Sequence, residues 1–212
     1  MNTGLLIATV AFAGIIFLRR FFKAGDLRRK TIQFVAGSSS RYAAEDLPQD
    51  EVWWTQLDTL VQLELAVALA RKALPVWQRY SEGNDLSYKN SPIGSPVAIP
   101  TLLLQTSLDE ISQQSQHRFP ENSKGIMRCY NDFIAPLVAL QDGHWSLTYP
   151  VKKIFLSVYN LLKAVTEQDN ISVMKHLLAL SINQSLDCLD MCRLYSRDEI
   201  KAFLHSYRVQ PA

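Results

Sequence analysis

The chain has 212 residues, of which 48% are hydrophobic and 20% are charged, and its formal net charge is only +2. This length and composition predict one globular domain with an additional segment, and they exclude disorder on a large scale. The positive charge is confined to one end: residues 1–30 hold six Lys or Arg and one Asp, a net of +5, so residues 31–212 carry −3. Because a nucleic-acid-binding domain spreads its basic residues over a folded face, this distribution favours a membrane surface over nucleic acid.

The first 23 residues predict a membrane anchor. Residues 4–18 carry no charge, and as a helix they would span roughly 22 Å, less than the ~30 Å hydrocarbon core of a bilayer. Residues 19–23 complete the span, because long basic side chains and aromatic rings both suit the boundary between the hydrocarbon core and the lipid headgroups. The residues that we assign to the anchor and its interface are Leu5, Ile15, Leu18, Arg19, Arg20, Phe21, Phe22 and Lys23.

Two other interpretations of this segment stay open: a helix that is buried or lies on a surface, and a cleaved export signal. An export signal has basic residues before its apolar run, whereas here six basic residues come after it. By the positive-inside rule, the same residues predict a single span whose C-terminal part faces the cytoplasm. They also favour contact with anionic lipid headgroups. Three cysteines without a regular spacing agree with a reducing compartment.

The rest of the chain divides into a linker and one domain. Residues 24–47 combine the basic cluster with a stretch that contains Gly37 and three consecutive serines, and we expect a juxtamembrane segment and a flexible linker there. Residues 48–212 show helical periodicity almost throughout. The sequence therefore predicts an all-α protein, with an N-terminal transmembrane helix, a tether and an irregular bundle of five to seven helices.

The first helix of the bundle is predicted to run from Pro48 to about Tyr80, with Asp46 as its N-cap. Apolar residues surround nearly its whole circumference, which predicts a central helix. Pro75 is expected to kink or end it, because proline removes a backbone donor and clashes with the preceding turn.

The later elements are predicted from prolines, caps and apolar stripes. Three prolines four residues apart indicate an extended loop over residues 91–100. The capping-box pattern SRDE at 196–199 indicates the start of the last helix. Helices are expected at about 101–117, at about 125–140, from 151, from Asn170 as N-cap, and after Ser196 to about Tyr207.

Three features suit contacts with a protein partner: an aromatic pair, a proline-stiffened loop and an Asp-Gly turn. Adjacent residues of a helix point about 100° apart, so only one aromatic residue of the pair can face the core. A loop stiffened by prolines loses little entropy on docking. In the turn DGHW we favour a structural role, with the tryptophan closing the core edge, over a converging polar site. The residues are Trp53, Trp54, Pro92, Pro96, Pro100, His144 and Trp145.

No motif for catalysis, a cofactor or a metal occurs in the sequence. Glu64 lies in an apolar helix, and Arg71, two turns later, is its expected ion-pair partner; an active-site acid is the second interpretation. Cys188 and Cys192 share one helix face, but their spacing matches no common zinc pattern. We expect these cysteines and the two serines before them to form a seam of small side chains, which a neighbouring helix can approach closely.

The stretch LARKALPVWQRY, followed by the proline loop, resembles helical immunity proteins of bacterial toxin systems. That resemblance implies an inhibitor that binds one toxin tightly. The leading prediction is a membrane-anchored scaffold, adaptor or assembly factor that presents a helical protein-binding domain on the cytoplasmic face. An enzyme with a pocket near His144 or Glu64 is the second alternative. The predicted partners are membrane lipid and a protein, without nucleic acid or a cofactor.

Overall fold

The computed structural model describes residues 53–89, 94–115 and 123–208, and six α-helices account for most of them. The helices are α1 (Thr59–Gly83), α2 (Leu103–Ser115), α3 (Lys124–Gln141), α4 (Tyr149–Thr166), α5 (Ile171–Cys192) and α6 (Arg197–Arg208). A 3₁₀ helix, Trp53–Thr55, precedes α1, and two short strands, β1 (Ser87–Tyr88) and β2 (Val97–Ala98), pair as an antiparallel hairpin. The predicted all-α class and a bundle of five to seven helices are confirmed for these residues.

The predicted membrane anchor lies outside the described residues. This applies to Leu5, Ile15, Leu18, Arg19, Arg20, Phe21, Phe22 and Lys23, to the linker at 24–47, to Asp46 and to Pro92. Within the ranges that the structure describes, no helix combines the length and the apolar character that a membrane span needs. The anchor therefore remains a prediction from the sequence.

The first helix begins later than predicted. Pro48 lies outside the described residues, but a continuous helix from there to Tyr80 is wrong, because the chain forms the short 3₁₀ helix at Trp53–Thr55 and enters α1 only at Thr59. The cap is Asp58, whose side chain accepts a hydrogen bond from the backbone N–H of Leu60 at 2.8 Å. A capping aspartate satisfies one of the free N–H groups of the first turn, which fixes the start of the helix.

Pro75 does not end α1, which continues through it to Gly83. An interior proline costs about 3 kcal/mol, because it removes one hydrogen bond and crowds the turn before it. Its neighbours Leu74, Val76 and Trp77 are all buried, and fully burying one large apolar side chain contributes roughly 1.5–3 kcal/mol. Tertiary packing therefore outweighs the local cost of the proline.

The later helices begin where the sequence predicts. Asn170 accepts from the backbone N–H of Val173 at 3.2 Å and caps α5. The capping box is confirmed before α6, where the backbone N–H of Ser196 donates to Glu199 Oε2 at 2.7 Å and the Ser196 hydroxyl accepts from the Glu199 N–H at 3.2 Å. The bond from the Ser196 N–H and the Ser196 side chain hold the pKa of Glu199 below its usual value.

α1 lies at the centre of the bundle, packed against α2, α4 and α5. It runs parallel to α5: Gln62 near its start donates to the carbonyl of Lys175 at 3.1 Å, and the charge of Arg79 near its end acts on Cys192 at the end of α5. α4 runs antiparallel to α5. Their register is shown by the ion pair of Lys153 with Asp187, whose Nζ and Oδ2 atoms are 2.6 Å apart.

Aromatic rings fill the core where α1, α3 and α4 meet. Phe155 of α4 stacks on Trp77 with ring centroids 5.8 Å apart, and it contacts Phe133 at 4.9 Å and Trp145 edge to face at 5.4 Å. Offset and edge-to-face pairs of this kind add to the stabilisation that burial provides. Trp77 also donates its indole N–H to the carbonyl of Thr101 at 3.0 Å, which ties α1 to the start of α2.

The bundle has two ends that matter for function. The proximal end, where residues 1–52 join the domain, contains residues 53–58 and the first turn of α5. The distal end contains the hairpin with the residues that lead into α2, residues 142–149 and the C-terminus of α5. α1 connects the two ends, and its 25 residues separate them by about 36 Å.

Candidate functional site

The tryptophan pair lies at the proximal end. Trp54 is completely buried, whereas Trp53 is half-exposed, and their rings meet edge to face with centroids 5.6 Å apart. One ring faces the core and the other does not, as predicted for adjacent residues. The 3₁₀ helix that carries them packs against α5, and Lys175 of α5 donates to the carbonyl of Leu57 at 3.0 Å.

The proline loop and the DGHW turn lie together at the distal end. The extended loop predicted for residues 91–100 is in part a β-hairpin, with Ser87 opposite Ala98 and Tyr88 opposite Val97. Pro96 and Pro100 are exposed. Tyr88 is buried against Trp145, with ring centroids 6.4 Å apart. The structure therefore joins two of the predicted partner-binding features and places them toward the opposite end of α1 from the tryptophan pair.

The turn itself plays the structural role that the sequence favours for it. Gly143 has φ = 75°, a backbone conformation that glycine adopts without the steric cost of a Cβ. The backbone N–H groups of His144 and Trp145 both donate to the carbonyl of Ala139, at 2.8 and 3.0 Å, and close the end of α3. Trp145 is buried at the core edge, whereas the His144 side chain is exposed.

Two exposed residues that sequence reasoning missed lie at the distal end. Tyr149 at the start of α4 is 55% exposed, and Met191 at the end of α5 is 48% exposed. The pairing of Lys153 with Asp187 sets the antiparallel register, so one turn further along each helix Tyr149 and Met191 come to the same level. Lys153 Nζ lies 5.0 Å from the Tyr149 ring centroid, a cation–π contact. In the sequence, Pro150 indicated that a helix starts near Tyr149 but not that Tyr149 is exposed, and no feature indicated Met191.

Exposed apolar side chains concentrate at the distal end. Among the described residues, five of the eight large apolar side chains that are exposed belong to this end or to the last turn of α3. They are Val97, Leu102, Val138, Tyr149 and Met191. A scattered exposed side chain is ordinary, but apolar residues that gather in one region indicate an interaction surface.

Below Tyr149 and Met191 lies the ion pair of Lys153 and Asp187, with side chains only 14% and 20% exposed. Burial alone would lower the pKa of Lys153, but the hydrogen bond and the charge of Asp187, together with Tyr149, outweigh it and raise the pKa. Lys153 is therefore a firmly protonated cation rather than a neutral amine nucleophile. Its role is to fix the register of α4 on α5 and to hold the Tyr149 ring at the surface.

Asp187→Asn is expected to remove the pH dependence that Lys153 supplies. Because the folded pKa of Lys153 is raised, its stabilisation is complete below about pH 10.4, the unfolded pKa, and is lost as the pH rises through the folded pKa. Above about pH 10, the free energy of unfolding should fall more steeply for the wild type than for the variant. Urea unfolding followed by circular dichroism, from neutral to strongly alkaline pH, measures both slopes.

Buried Tyr159 adds the same pH dependence to the free energy of unfolding of the wild type and of Asp187→Asn. Burial raises its pKa far above the usual value, so both proteins lose stability when tyrosine ionises in the unfolded state. The difference between the two slopes is the part due to Lys153. Parallel curves for the wild type and Asp187→Asn would show that the ion pair contributes nothing to the pH dependence.

The acidic residue considered for catalysis lies on the surface. Glu64 is exposed, and the predicted ion pair with Arg71 is wrong. Arg71 instead crosses to α2, where its Nη2 lies 2.8 Å from Asp109 Oδ1 and 3.0 Å from Ser112 Oγ. The reason is that α2 packs on the face of α1 that carries Arg71, so the nearest acceptors belong to another helix.

The cysteine seam is a packing feature. Ser157 of α4 inserts its hydroxyl between Ser181 and Ser185 of α5, with oxygen-to-oxygen distances of 2.8 Å to each hydroxyl. Burial raises the pKa of Cys188 far above the usual value, and a thiol that stays protonated is a poor nucleophile and ligand. Over the described parts of the chain, no three His, Cys, Asp or Glu side chains are grouped so as to hold a metal ion.

No protein-family model, curated protein or solved structure matches the chain. Function can therefore be inferred only from the geometry of the described residues and from the sequence of the N-terminal segment. The distal end is the strongest candidate site, because exposed apolar residues, a turn and a hairpin all lie there.

Proposed function

We propose that this protein is a single-pass membrane protein that acts by binding another protein through the distal end of its helical domain. The observation that carries the proposal is the concentration of exposed apolar residues at the end opposite to the one where residues 1–52 join. The apolar run and basic flank of residues 1–30 support the anchor and a cytoplasmic orientation.

The composition of the distal end suits a protein partner. Tyrosine and methionine are enriched at protein interfaces, where an aromatic ring supplies contact area at a low entropic cost and methionine adapts its shape. Lys153 holds the Tyr149 ring from below, and Trp145 holds the hairpin through Tyr88. The surface is therefore backed by packed side chains, which lowers the entropy lost on binding.

Replacing Tyr149 and Met191 together by serine is expected to abolish capture of a stoichiometric partner by the intact protein, isolated from its own membranes in mild detergent. The matched control replaces Ile171 and Val173 by serine; they are 63% and 37% exposed and lie in the first turn of α5, at the proximal end. Both double variants should fold, because all four side chains are exposed. Quantitative mass spectrometry of the captured proteins gives the partner-to-bait ratio.

The outcomes separate the candidate functions. A partner that is lost with the distal variant and kept with the control supports the proposal. A partner that both variants keep, or both lose, contradicts the assignment of the distal end, and the absence of any stoichiometric partner contradicts the binding function. A partner that proves to be a toxin, and whose activity the protein blocks, would favour the immunity-type inhibitor instead.

Carbonate washing of membranes tests the anchor separately. A protein held by a transmembrane helix stays in the membrane pellet, whereas one held only by charge is released into the supernatant. Release would contradict the single span. Together with the double variants, this wash distinguishes a failure of the anchor from a failure of the binding surface.

A further inference from the structure

α3 carries an apolar stripe on the side that faces away from the bundle. Ile134 and Val138 are 44% and 40% exposed, and Met127 is half-exposed. Successive residues of a helix are about 100° apart, so these three side chains lie within about 40° of one another around α3. The buried residues of α3, which pack against α2 and α4, occupy the opposite side. The stripe is therefore one continuous surface along about three turns of the helix.

One flank of this stripe carries two charges that suit the dipole of α3 badly. Lys124 is the first residue of the helix and Asp142 is its C-cap, and both are exposed. They are 18 positions apart, which is about five whole turns, so they lie on the same side of the helix. The helix dipole disfavours a cation at the N-terminus and an anion at the C-terminus. Neither side chain forms an ion pair with another residue that the structure describes.

We infer that two copies of this chain associate through α3, packed antiparallel about a two-fold axis midway between Lys124 and Asp142. Met127 lies six positions before that midpoint and Val138 five after it, so Met127 of one copy packs against Val138 of the second copy. Ile134 lies beside the axis and meets the same residue of the second copy. This association does not depend on the protein partner proposed above.

The charges on the flank select the antiparallel arrangement. A two-fold axis perpendicular to the helices brings the same flank of both copies together, so Lys124 of each copy meets Asp142 of the other. Two ion pairs form, and each end of α3 gains from the second copy the charge that its dipole favours. In a parallel pair the two Lys124 side chains would lie at the same level, and the two helix dipoles would repel each other.

The size of the surface predicts a weak association. A contact between single helices about 27 Å long falls below the ~1,200 Å² of total buried area at which stable interfaces begin. We therefore expect a dissociation constant in the micromolar range and a dimer that forms and separates as the protein concentration changes.

Charge reversal tests the register, with the full-length protein in mild detergent. Lys124→Glu and Asp142→Lys each place like charges together twice, because of the symmetry, so each should raise the dissociation constant about tenfold. The double variant restores both ion pairs and should return to within about threefold of the wild type. Neither single variant harms the fold, since each new charge suits the dipole of its own helix. Sedimentation equilibrium at a series of protein concentrations measures the constants.

Ile134→Glu tests the stripe in the same experiment, because it places two like charges beside the axis and should abolish the dimer. The matched control is Ile171→Glu, at a position that is 63% exposed and belongs to α5, and it should dimerise like the wild type. A wild type that stays monomeric at every concentration overturns the inference. So does a dimer that Ile134→Glu leaves intact, since another surface then joins the copies, and so does a double charge reversal that fails to restore the dimer.

One further measurement distinguishes a second copy from another occupant of the stripe. A thiol introduced as Ile134→Cys should react with a maleimide severalfold more slowly in the dimer than in the diluted monomer. A thiol that is equally slow at every concentration also overturns the inference, because a segment of the same chain then covers the stripe.

Discussion

Trp77→Ala should lower the free energy of unfolding by about 3–5 kcal/mol, the usual range for truncating a fully buried tryptophan. Trp77 has no exposed surface and stacks on Phe155 at a centroid distance of 5.8 Å. Its loss opens a cavity at the meeting point of α1, α2 and α4, and it leaves the carbonyl of Thr101 without the indole donor. Chemical unfolding of the full-length protein in mild detergent, followed by circular dichroism, measures the change.

Trp77→Phe is the matched control, because it keeps a ring against Phe155 and removes the indole N–H. Trp77→Phe should therefore lower the free energy of unfolding by about 1–2 kcal/mol, the contribution of the hydrogen bond to Thr101. The rest of the loss in Trp77→Ala comes from the smaller buried side chain. A change below about 1 kcal/mol for Trp77→Ala would be far under the range for buried aromatic residues, and it would show that this aromatic cluster is not the core of the domain.

The helices were largely predictable because local chemistry fixes where most of them start. Asn170 and the Ser196–Glu199 box cap their helices as expected, and Pro150 suits the first turn of α4. The first helix was predicted less well, since Pro48 resembles a helix start and Asp58 lies inside a continuous apolar pattern. Of the two outcomes predicted at Pro75, a kink or an end, the end is wrong for a different reason: local propensity opposes a helix there, and the packing of neighbouring helices outweighs it.

The candidate site was predictable only in part, for a physical reason. His144, Trp145 and Pro96 were identified because turns and prolines have local signatures. Tyr149 and Met191 are 42 positions apart in the sequence, and their common level at the distal end follows from the register of α4 on α5. That register is marked by one ion pair, which has no signature in a single sequence, and by a seam of hydroxyl groups. The spacing of the small residues on α5 indicated that seam, but not that Ser157 of α4 packs into it.

The hydroxyl seam lies inside the interface of α4 and α5 that holds this register. Ser157, Ser181 and Ser185 are all fully buried. The Ser157 hydroxyl lies 3.0 Å from the Ser181 carbonyl and 2.8 Å from each of the two serine hydroxyls. Small side chains on both helices allow this close approach, so the available volume at position 157 is that of a serine. A larger side chain would have to push α4 away from α5.

Ser157→Leu is accordingly expected to lower the free energy of unfolding by about 2–4 kcal/mol, of which overpacking supplies 1–3 and the lost hydrogen bonds about 1. Ser172→Leu on the exposed face of α5 is the control and should change stability by no more than about 0.5 kcal/mol. Urea unfolding of both variants measures the difference. Equal stability of the two would mean that α4 and α5 can slide or separate without cost. In that case the alignment of Tyr149 with Met191, on which the distal surface depends, would not be fixed by the seam.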